Sequence, residues 1–228
     1  MSVAPQLDST TGTSRSLADR AYAVIRDRLV MLDIRPGEPL NDDLLANELG
    51  TGRTPVREAL KRLEGDRLVV AYPRRGTFAT AVDINDLAHI SEIREQLEPL
   101  AATRAARTAT QAARAELSAL ADVIAELAPS GARHGDLSPR DLLRRDVEVH
   151  RAVYRAAGNP HLEDVLVRQG NLATRIWGLF LDRLPAVAAH VGEHADLLRS
   201  IVDGEQERAA ELALAHVVGF ERAIRALL

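Results

Sequence analysis

The segment GTGRTPVREALKRLE, residues 50–64, contains a strong helix start signal. Its Thr-Pro step predicts that Thr54 caps a helix and that Pro55 takes the first helical position, where a missing backbone N–H has no cost. Arg53 stands just before this helix and Arg57 one turn inside it. Two arginines at the leading end of a helix indicate that this end meets an anionic partner.

Two more helices are predicted on the N-terminal side of this segment. Ser16 caps a first helix with apolar residues at helical spacing, and RPGEPL then breaks it with two prolines and a glycine. Asn41 caps a short second helix that stops at Gly50. The first 14 residues lack the basic start and apolar stretch of a signal peptide, and we predict a disordered tail there.

A hairpin is predicted after the third helix. Two β-prone stretches, Leu68–Tyr72 and Thr77–Val82, flank the tetrapeptide Pro-Arg-Arg-Gly at 73–76. Three helices followed by a hairpin with a basic tip predict a winged helix-turn-helix over residues 15–82.

The remainder of the chain, residues 83–228, keeps a period of 3.6 residues and contains no strand pattern. It predicts an all-α bundle, so the fold class is mainly α. Six helices are expected, at roughly 83–107, 110–127, 138–157, 160–183, 186–202 and 205–227.

Composition narrows the function classes. The 228 residues are 46% hydrophobic and 27% charged, with no cysteine, which excludes disulfides and thiolate metal sites. No apolar run is long enough to cross a bilayer. We predict a cytoplasmic protein with no membrane partner.

The net charge of -4 argues against indiscriminate nucleic-acid binding, but residues 53–75 hold seven basic residues against three acids.

The basic residues of this region occur in a definite order along the chain, first at the start of the third helix and then at the hairpin tip. In a helix-turn-helix the second helix enters the major groove with its N-terminal end, where an arginine fork can bond guanine. First-turn N–H groups bind phosphate, and a basic wing tip reaches the minor groove or flanking phosphates. The alternative for any single arginine is that it belongs to a solvent-exposed helix face and contacts no ligand. The set predicts contacts to double-stranded DNA by Arg53, Thr54, Arg57, Arg74, Arg75 and Gly76.

Four residues of the all-α part have the spacing of a metal site. Asp146 and His150 lie four apart on one helix face. His194 and His216 flank a turn at about equal distances, so antiparallel helices would bring them level. Three imidazoles and a carboxylate suit Zn²⁺, Ni²⁺ or Mn²⁺, with coordination positions left for a small anion. The alternative is that each histidine is a capping or surface residue.

The region IRPGEPLNDDLLANELGTGRTPVREALKRLEGDRLVVAYPRRGTFA resembles the N-terminal domain of the GntR family of bacterial transcription regulators. The likeness covers about residues 16–82, and RTPVREAL is its most specific part. It implies that the two leading arginines read an operator and that Gly76 marks the wing. Two positions depart from the family pattern. Gly52 replaces a small hydroxyl or methyl residue, and Asp43 stands where some members place a DNA-contacting arginine.

The second part, roughly 83–228, is similar to the effector domain (FCD type) of the FadR subfamily of GntR regulators. The likeness rests on the Asp-His-His-His pattern and on IREQLEP and AAGNPHLEDVL. Six helices resemble the shorter VanR-type members. The resemblance implies a divalent metal, zinc first, on the floor of a cavity that binds a small carboxylate. Arg94 is the predicted partner of that carboxylate, and Asn171 and Arg175 are weaker pocket candidates.

Each pocket candidate has an ordinary alternative. Arg94 could instead form a helix-surface salt bridge with Glu98, and the other two could belong to a polar face. Trp177, the only tryptophan, is predicted to be core or interface. The remaining histidines lack partner spacing and are predicted to lie on the surface: His89, His134, His161 and His190.

Two other functions compete with that of a regulator, and the first is that of an enzyme. A metal with three histidines can activate water, but Glu148, the nearest base in sequence, points away from the face that carries Asp146 and His150. A purely structural metal without an effector is the second rival. We predict a ligand-responsive transcription regulator, a repressor that binds a palindromic operator as a homodimer, and not an enzyme. The effector, the metal and the operator sequence stay open.

Overall fold

The structure is a computed structural model that describes residues 16–126, 137–184 and 187–228. The chain divides into two compact units. The first combines the described part of Met1–Asp27 with Gly37–Ala79, and the second combines Arg28–Pro36 with Thr80–Leu228. The predicted N-terminal tail and His134 lie outside the described residues.

The first unit is built on three helices, of which α1 (Leu17–Val30) belongs mostly to it, followed by α2 (Asp42–Glu48) and α3 (Arg53–Gly65). Ser16 caps α1 as predicted, because its hydroxyl accepts the N–H of Asp19 at 3.0 Å. Asn41 caps α2 by accepting two backbone N–H groups with its side-chain oxygen.

The predicted start of α3 was two residues late. The helix begins at Arg53, so its N-cap is Gly52 in an extended conformation rather than Thr54, and no side chain caps it. Pro55 still lies in the first turn, where its missing N–H has no intrahelical partner to lose. The proline signal therefore locates this turn but does not select the capping residue.

A three-stranded antiparallel sheet completes the first unit, with β1 (Pro39–Leu40), β2 (Val69–Tyr72) and β3 (Gly76–Ala79) in the order β1-β3-β2. Val69 pairs with Ala79, which sets the hairpin register. The predicted second strand was too long, since β3 ends at Ala79, and β1 was not predicted. A two-residue edge strand next to a proline has too few residues for a period-2 pattern. The winged helix-turn-helix class is confirmed.

The second unit is all-α in its described residues, apart from a short 3-10 helix at Leu181–Arg183. None of the described helices is long and apolar enough to cross a membrane. The α-helices are α4 (Asp86–Thr108), α5 (Gln111–Ala125), α6 (Pro139–Ala156), α7 (Pro160–Phe180), α8 (Val187–Gly192), α9 (His194–Asp203) and α10 (Gln206–Arg225).

The predicted count of six helices in this part was wrong, because the described residues form seven. The helix expected over 186–202 is divided at Glu193 into α8 and α9. Glu193 keeps helical dihedral angles and its N–H still reaches the Ala189 carbonyl at 3.2 Å, so the interruption is slight. Gly192, the last residue of α8, was an available signal for it. The helix count therefore no longer supports the likeness to VanR-type members.

Two local features position the interior residues of this unit. Ser138 and Asp141 form a capping box that starts α6, and the buried face of α6 includes Asp146 and His150 among apolar neighbours. Gly204 ends α9 with a left-handed φ of 82°, a conformation that glycine adopts without steric cost, and the chain reverses into α10. The apolar core of the unit includes Trp177, as predicted.

Candidate metal centre and nucleic-acid interface

Four side chains converge inside the all-α unit. The Oδ1 atom of Asp146 lies 3.8 Å from the Nε2 atoms of His150, His194 and His216. All four residues are buried, and one ligand atom from each lies within 4.8 Å of the others. The structure thus brings together the four residues that the sequence analysis grouped as metal ligands.

Hydrogen bonds orient the His150 ring. Its Nδ1 atom is 3.1 Å from Oε2 of Glu98 and 3.2 Å from the Tyr154 hydroxyl, which itself donates to Oε1 of Glu98. A carboxylate at Nδ1 holds the proton on that nitrogen and leaves the Nε2 lone pair directed at the cluster. This is the outer-shell arrangement that metal-ligating histidines usually have.

The other two rings have equivalent partners. Nδ1 of His194 lies 3.1 Å from the Val191 carbonyl oxygen, and Nδ1 of His216 lies 3.3 Å from Oε2 of Glu193. Each acceptor favours the tautomer with the proton on Nδ1. Three Nε2 lone pairs therefore face one carboxylate oxygen.

Two buried atoms at the centre have no hydrogen-bond partner among the described residues, namely Oδ1 of Asp146 and Nε2 of His194. Buried polar atoms in folded proteins almost always have a partner. A divalent cation would satisfy both atoms at once, and an all N/O donor set suits Zn²⁺, with Ni²⁺ or Mn²⁺ as alternatives. The residues present fit a metal ion.

Burial controls the charge of this cluster. Burial lowers the pKa of His194 and of His216 well below the usual value, and the neighbouring histidines add to the effect. Burial also raises the pKa of Asp146. For His150, Glu98 and Asp146 outweigh burial, so its pKa is raised. His194 and His216 are therefore neutral at physiological pH, which is the form that binds metals.

A small cavity of about 20 Å³, room for roughly one water-sized group, opens beside the cluster, and Asp146, His150 and His216 line it together with Arg94 and Asn171. The Nδ2 atom of Asn171 is buried without a partner among the described residues. Two of the three predicted effector-binding residues therefore face the same space as the metal cluster.

Arg94 pairs with Glu98, as its predicted alternative had it, but in the interior rather than on the helix surface. Its Nε donates to Oε1 of Glu98 at 2.6 Å, but both side chains are about 95% buried, so the pair is not a surface salt bridge. The Arg94 NH2 nitrogen lies 3.4 Å from Nε2 of His150. Although burial opposes its charge, Glu98 keeps the pKa of Arg94 above its ordinary value. A charged guanidinium therefore stands at the cluster.

Arg175, the third pocket candidate, has other partners. It is not among the residues that line the cavity, and its guanidinium donates to the hydroxyl and carbonyl oxygens of Thr80, both at 2.6 Å. Burial lowers the pKa of Arg175 to about 10. Arg175 and Asn171 are one turn apart on α7. That spacing places them near each other on the helix, but it does not show which of them faces the cavity.

His190 was wrongly predicted to lie on the surface. Its ring stacks on His216, with centroids 4.0 Å apart and planes 17° apart, and its Nδ1 lies 3.3 Å from Oε2 of Glu193. Its spacing of four from His194 was an available signal. The outer-shell residues Glu98 and Tyr154 were also missed, although each is four residues from a predicted site residue. His89 and His161 are exposed as predicted.

In the first unit, the predicted DNA-reading residues of α3 are exposed. Arg53 and Arg57 have 61% and 65% of their side chains accessible. Each nevertheless pairs with an acidic residue of α2: Arg53 with Asp43, and Arg57 with Asp42 at 2.7 Å. The hydrogen bond that Arg57 donates to the Asp42 carboxylate raises the pKa of Arg57. Thr54 is exposed between the two arginines.

The wing tip presents the remaining predicted DNA contacts. The Arg75 N–H donates to the Tyr72 carbonyl at 3.1 Å, which closes a turn between β2 and β3. Arg74 has a φ of 63° and Gly76 a φ of 97°. An arginine in the left-handed region is uncommon, and here it displays two basic side chains in the exposed turn.

A winged helix-turn-helix combined with an all-α unit that encloses a histidine-carboxylate cluster defines a DNA-binding regulator with a separate sensory domain. Residues 17–79 match the family of bacterial regulatory proteins described as the gntR family, and residues 89–219 match the FCD domain. The chain belongs to the GntR family and carries an FCD domain, so it is a DNA-binding transcription regulator.

Named relatives agree with this assignment. The Nta operon transcriptional regulator of Aminobacter aminovorans is 30% identical over 82% of this chain and 85% of its own length. The HTH-type transcriptional repressor GlaR of Escherichia coli is 24% identical over 86% of this chain and 90% of its own. These proteins are regulators rather than enzymes, which confirms that prediction.

Solved structures support the fold. The structure of E. coli McbR/YncC has a TM-score of 0.77 at 21% identity and covers 94% of this chain and 99% of that one. A putative GntR regulator from Rhodococcus sp. RHA1 has a TM-score of 0.69 at 20% identity, with 94% and 100% covered. The whole described architecture therefore has experimental counterparts.

The ion pairs on α3 lead to a first prediction. Replacing Asp42 and Asp43 by Asn frees Arg57 and Arg53 and removes two negative charges from the face that would approach phosphates. We expect DNA affinity at low salt to rise by a few-fold, on the order of what exposed ion pairs contribute. Because salt screens such charges, the gain should shrink as salt increases, and fluorescence anisotropy across a salt series measures both effects.

The matched control is Asp182→Asn with Asp196→Asn, which makes the same change in net charge at exposed positions of the all-α unit. An equal gain in both double variants would mean that net charge alone acts, and it would contradict a role for the α2–α3 ion pairs.

Proposed function

We propose that this regulator is a repressor that binds a palindromic operator as a homodimer and releases it when a small carboxylate binds at a metal ion. The metal ligands are Asp146, His150, His194 and His216. The observation that carries the proposal is the convergence of three Nε2 atoms on one carboxylate oxygen, in a cavity that also contains a charged arginine.

The DNA contacts follow from the exposed end of α3 and from the wing. Arg53 and Arg57 read bases in the major groove, and Thr54 with the first-turn amides binds phosphate. Arg74, Arg75 and Gly76 bring the wing to the minor groove or the flanking backbone. Two recognition helices related by a two-fold axis read a palindrome, which requires a dimer. DNA binding places the protein in the cytoplasm.

The metal would act as a Lewis acid that attracts an anionic oxygen. Zinc is the first choice on the donor set, with nickel or manganese as alternatives. Arg94, still charged beside Glu98, offers its remaining N–H groups to the same carboxylate. The Nδ2 group of Asn171, which has no partner in the described parts of the chain, supplies a further N–H donor. These two side chains orient the ligand, while Glu98 and Tyr154 hold the ring of His150.

Repression is supported by the relative named HTH-type transcriptional repressor GlaR. If the carboxylate weakens operator binding, then the operator must weaken carboxylate binding by the same factor. This reciprocity gives the proposal a thermodynamic check that does not depend on a detailed structural route between the two ligands.

A thermal-shift screen of small carboxylates tests the proposed sensor. Protein loaded with zinc is compared with protein stripped by a chelator, and the neutral amide of each acid serves as the matched ligand control. A ligand at 100 times its dissociation constant adds ~2.7 kcal/mol, or about 5–10 °C for a chain of this size. We expect a hit that needs both the metal and the carboxylate charge.

Two outcomes would count against the sensor. Loss of stability on stripping, with no carboxylate hit on loaded protein, would favour a purely structural metal. A hit that is unchanged after stripping would place the carboxylate away from the cluster.

A further inference from the structure

A second and larger cavity lies in the all-α unit, among residues of α7, α8 and α10. Its volume is about 470 Å³, within the range of ligand pockets. It shares Trp177 and Phe220 with the wall of the metal cavity, but none of the four clustered metal-ligating residues lines it. It is therefore a separate space on another side of these two rings.

The wall of this cavity is mostly apolar and partly aromatic. Trp177 packs edge-on to His190 at 5.0 Å between ring centroids, and it lies 5.4 Å from Phe220. Glu193 is the formally charged residue among those lining it. An anionic ligand would be repelled by that carboxylate, whereas a neutral or cationic compound would not.

Two buried nitrogen atoms in the wall have no partner among the described residues. They are Nε1 of Trp177, whose residue is 3% exposed, and Nε2 of His190. Because an indole N–H can only donate, it needs an acceptor, and a buried donor without one is unfavourable. The Glu193 carboxylate at the wall is accessible and accepts hydrogen bonds, so a ligand with a hydrogen-bond donor beside an apolar body would suit this cavity.

We propose that this cavity is a second small-molecule site, for a neutral or cationic, largely aromatic compound with at least one hydrogen-bonding group. Its ligand differs in charge from the carboxylate proposed for the metal cavity. The regulator would thus sense two chemical classes.

The geometry also connects the two cavities. Oε2 of Glu193 lies 3.3 Å from Nδ1 of both His190 and His216. A ligand that donates a hydrogen bond to Glu193 competes with the bond that orients His216. This consequence rests on the proposed metal site, where loss of an outer-shell partner weakens metal binding.

The probe for the test is N-phenyl-1-naphthylamine, which is uncharged, aromatic and carries one N–H. Trp177 is the single tryptophan of the chain, so energy transfer from it reports binding near this ring, and the blocking variant described next assigns that binding to this cavity. We expect saturable quenching of Trp177 with a rise in probe emission, at one probe per chain. The signal should persist in chelator-stripped protein, so failure of the proposed metal sensor would not remove it.

Gly219→Leu is the blocking variant. Gly219 lines the cavity in the interior of α10, and a Cβ there meets no atom within 4 Å. Leucine also has a higher helix propensity than glycine, so the variant should fold. Ala215→Leu, at an exposed position of α10 that does not line the cavity, is the matched control. We expect Gly219→Leu to weaken probe binding by about tenfold or more and the control to leave it unchanged.

Three results would overturn this assignment: no saturable binding, equal binding by both variants, or a changed dimerisation constant for Gly219→Leu with probe binding intact. The last would mean that a second copy of the chain covers the cavity.

The link to the metal is tested by zinc affinity with and without saturating probe. We expect saturating probe to weaken zinc binding by the wild-type protein and to leave zinc binding by Glu193→Gln unchanged. A wild-type zinc affinity that does not respond to the probe would refute the link.

Discussion

Arg57→Ala should remove selective operator binding while leaving the fold and the proposed dimer intact. Its guanidinium stands on the first turns of α3 with 65% of the side chain accessible, so truncation leaves no cavity. A bidentate arginine–guanine contact contributes about 1–3 kcal/mol of discrimination, which corresponds to roughly 5–150-fold in affinity. The measurement is anisotropy on an operator enriched from random DNA by the wild-type protein, compared with a scrambled duplex.

Arg208→Ala is the control, because Arg208 is an exposed arginine of α10 in the other unit and pairs with Glu211. It removes one positive charge without touching α3. If Arg57→Ala kept wild-type operator affinity, α3 would not read the bases through this residue. If both variants lost affinity equally, the effect would be one of net charge.

The double substitution His194→Ala and His216→Ala should remove the metal and lower the melting temperature. Both rings are almost fully buried, and their Nε2 atoms face Asp146, so two of four ligands disappear. Metal at 1,000 times its dissociation constant adds ~4.1 kcal/mol, so we expect a loss of about 10 °C relative to loaded wild type. Elemental analysis and calorimetry measure metal content and melting temperature.

His89→Ala with His161→Ala provides the control, since both of these imidazoles are exposed. A chelator should lower the melting temperature of wild type and of this control, and it should not lower that of the His194/His216 variant any further. Stoichiometric metal in the His194/His216 variant would show that the ion is held elsewhere.

Much of this molecule could be predicted because its signals are local. A proline in the first turn of α3, the Asn41 cap and the basic hairpin tip depend on neighbours within a few residues, and they predicted a winged helix-turn-helix. The metal cluster was predictable for a related reason. Asp146 and His150 share a helix face. Gly204 reverses the chain between the antiparallel helices α9 and α10, and His194 and His216 lie at similar distances from that turn.

Other features depend on how helices rotate against each other, and residue spacing does not contain that information. Arg175 and Asn171 are one turn apart, yet Asn171 lines the cavity and Arg175 binds Thr80. His190 stacks on His216 although it was expected on the surface. Each outcome is set by a contact between segments far apart in the chain.

The chain's local patterns therefore specified the class of each unit, the helix proposed to meet DNA and the identity of the four clustered side chains. Packing alone decided that Arg94 is buried against Glu98, that Glu98 and Glu193 orient two of the three rings, and that a second cavity forms beyond Trp177. The physical reason is that caps, turns and helical periodicity act over one or two turns. Burial, tautomer choice and cavity shape result from side chains of different helices, whose proximity exists only after the bundle has packed.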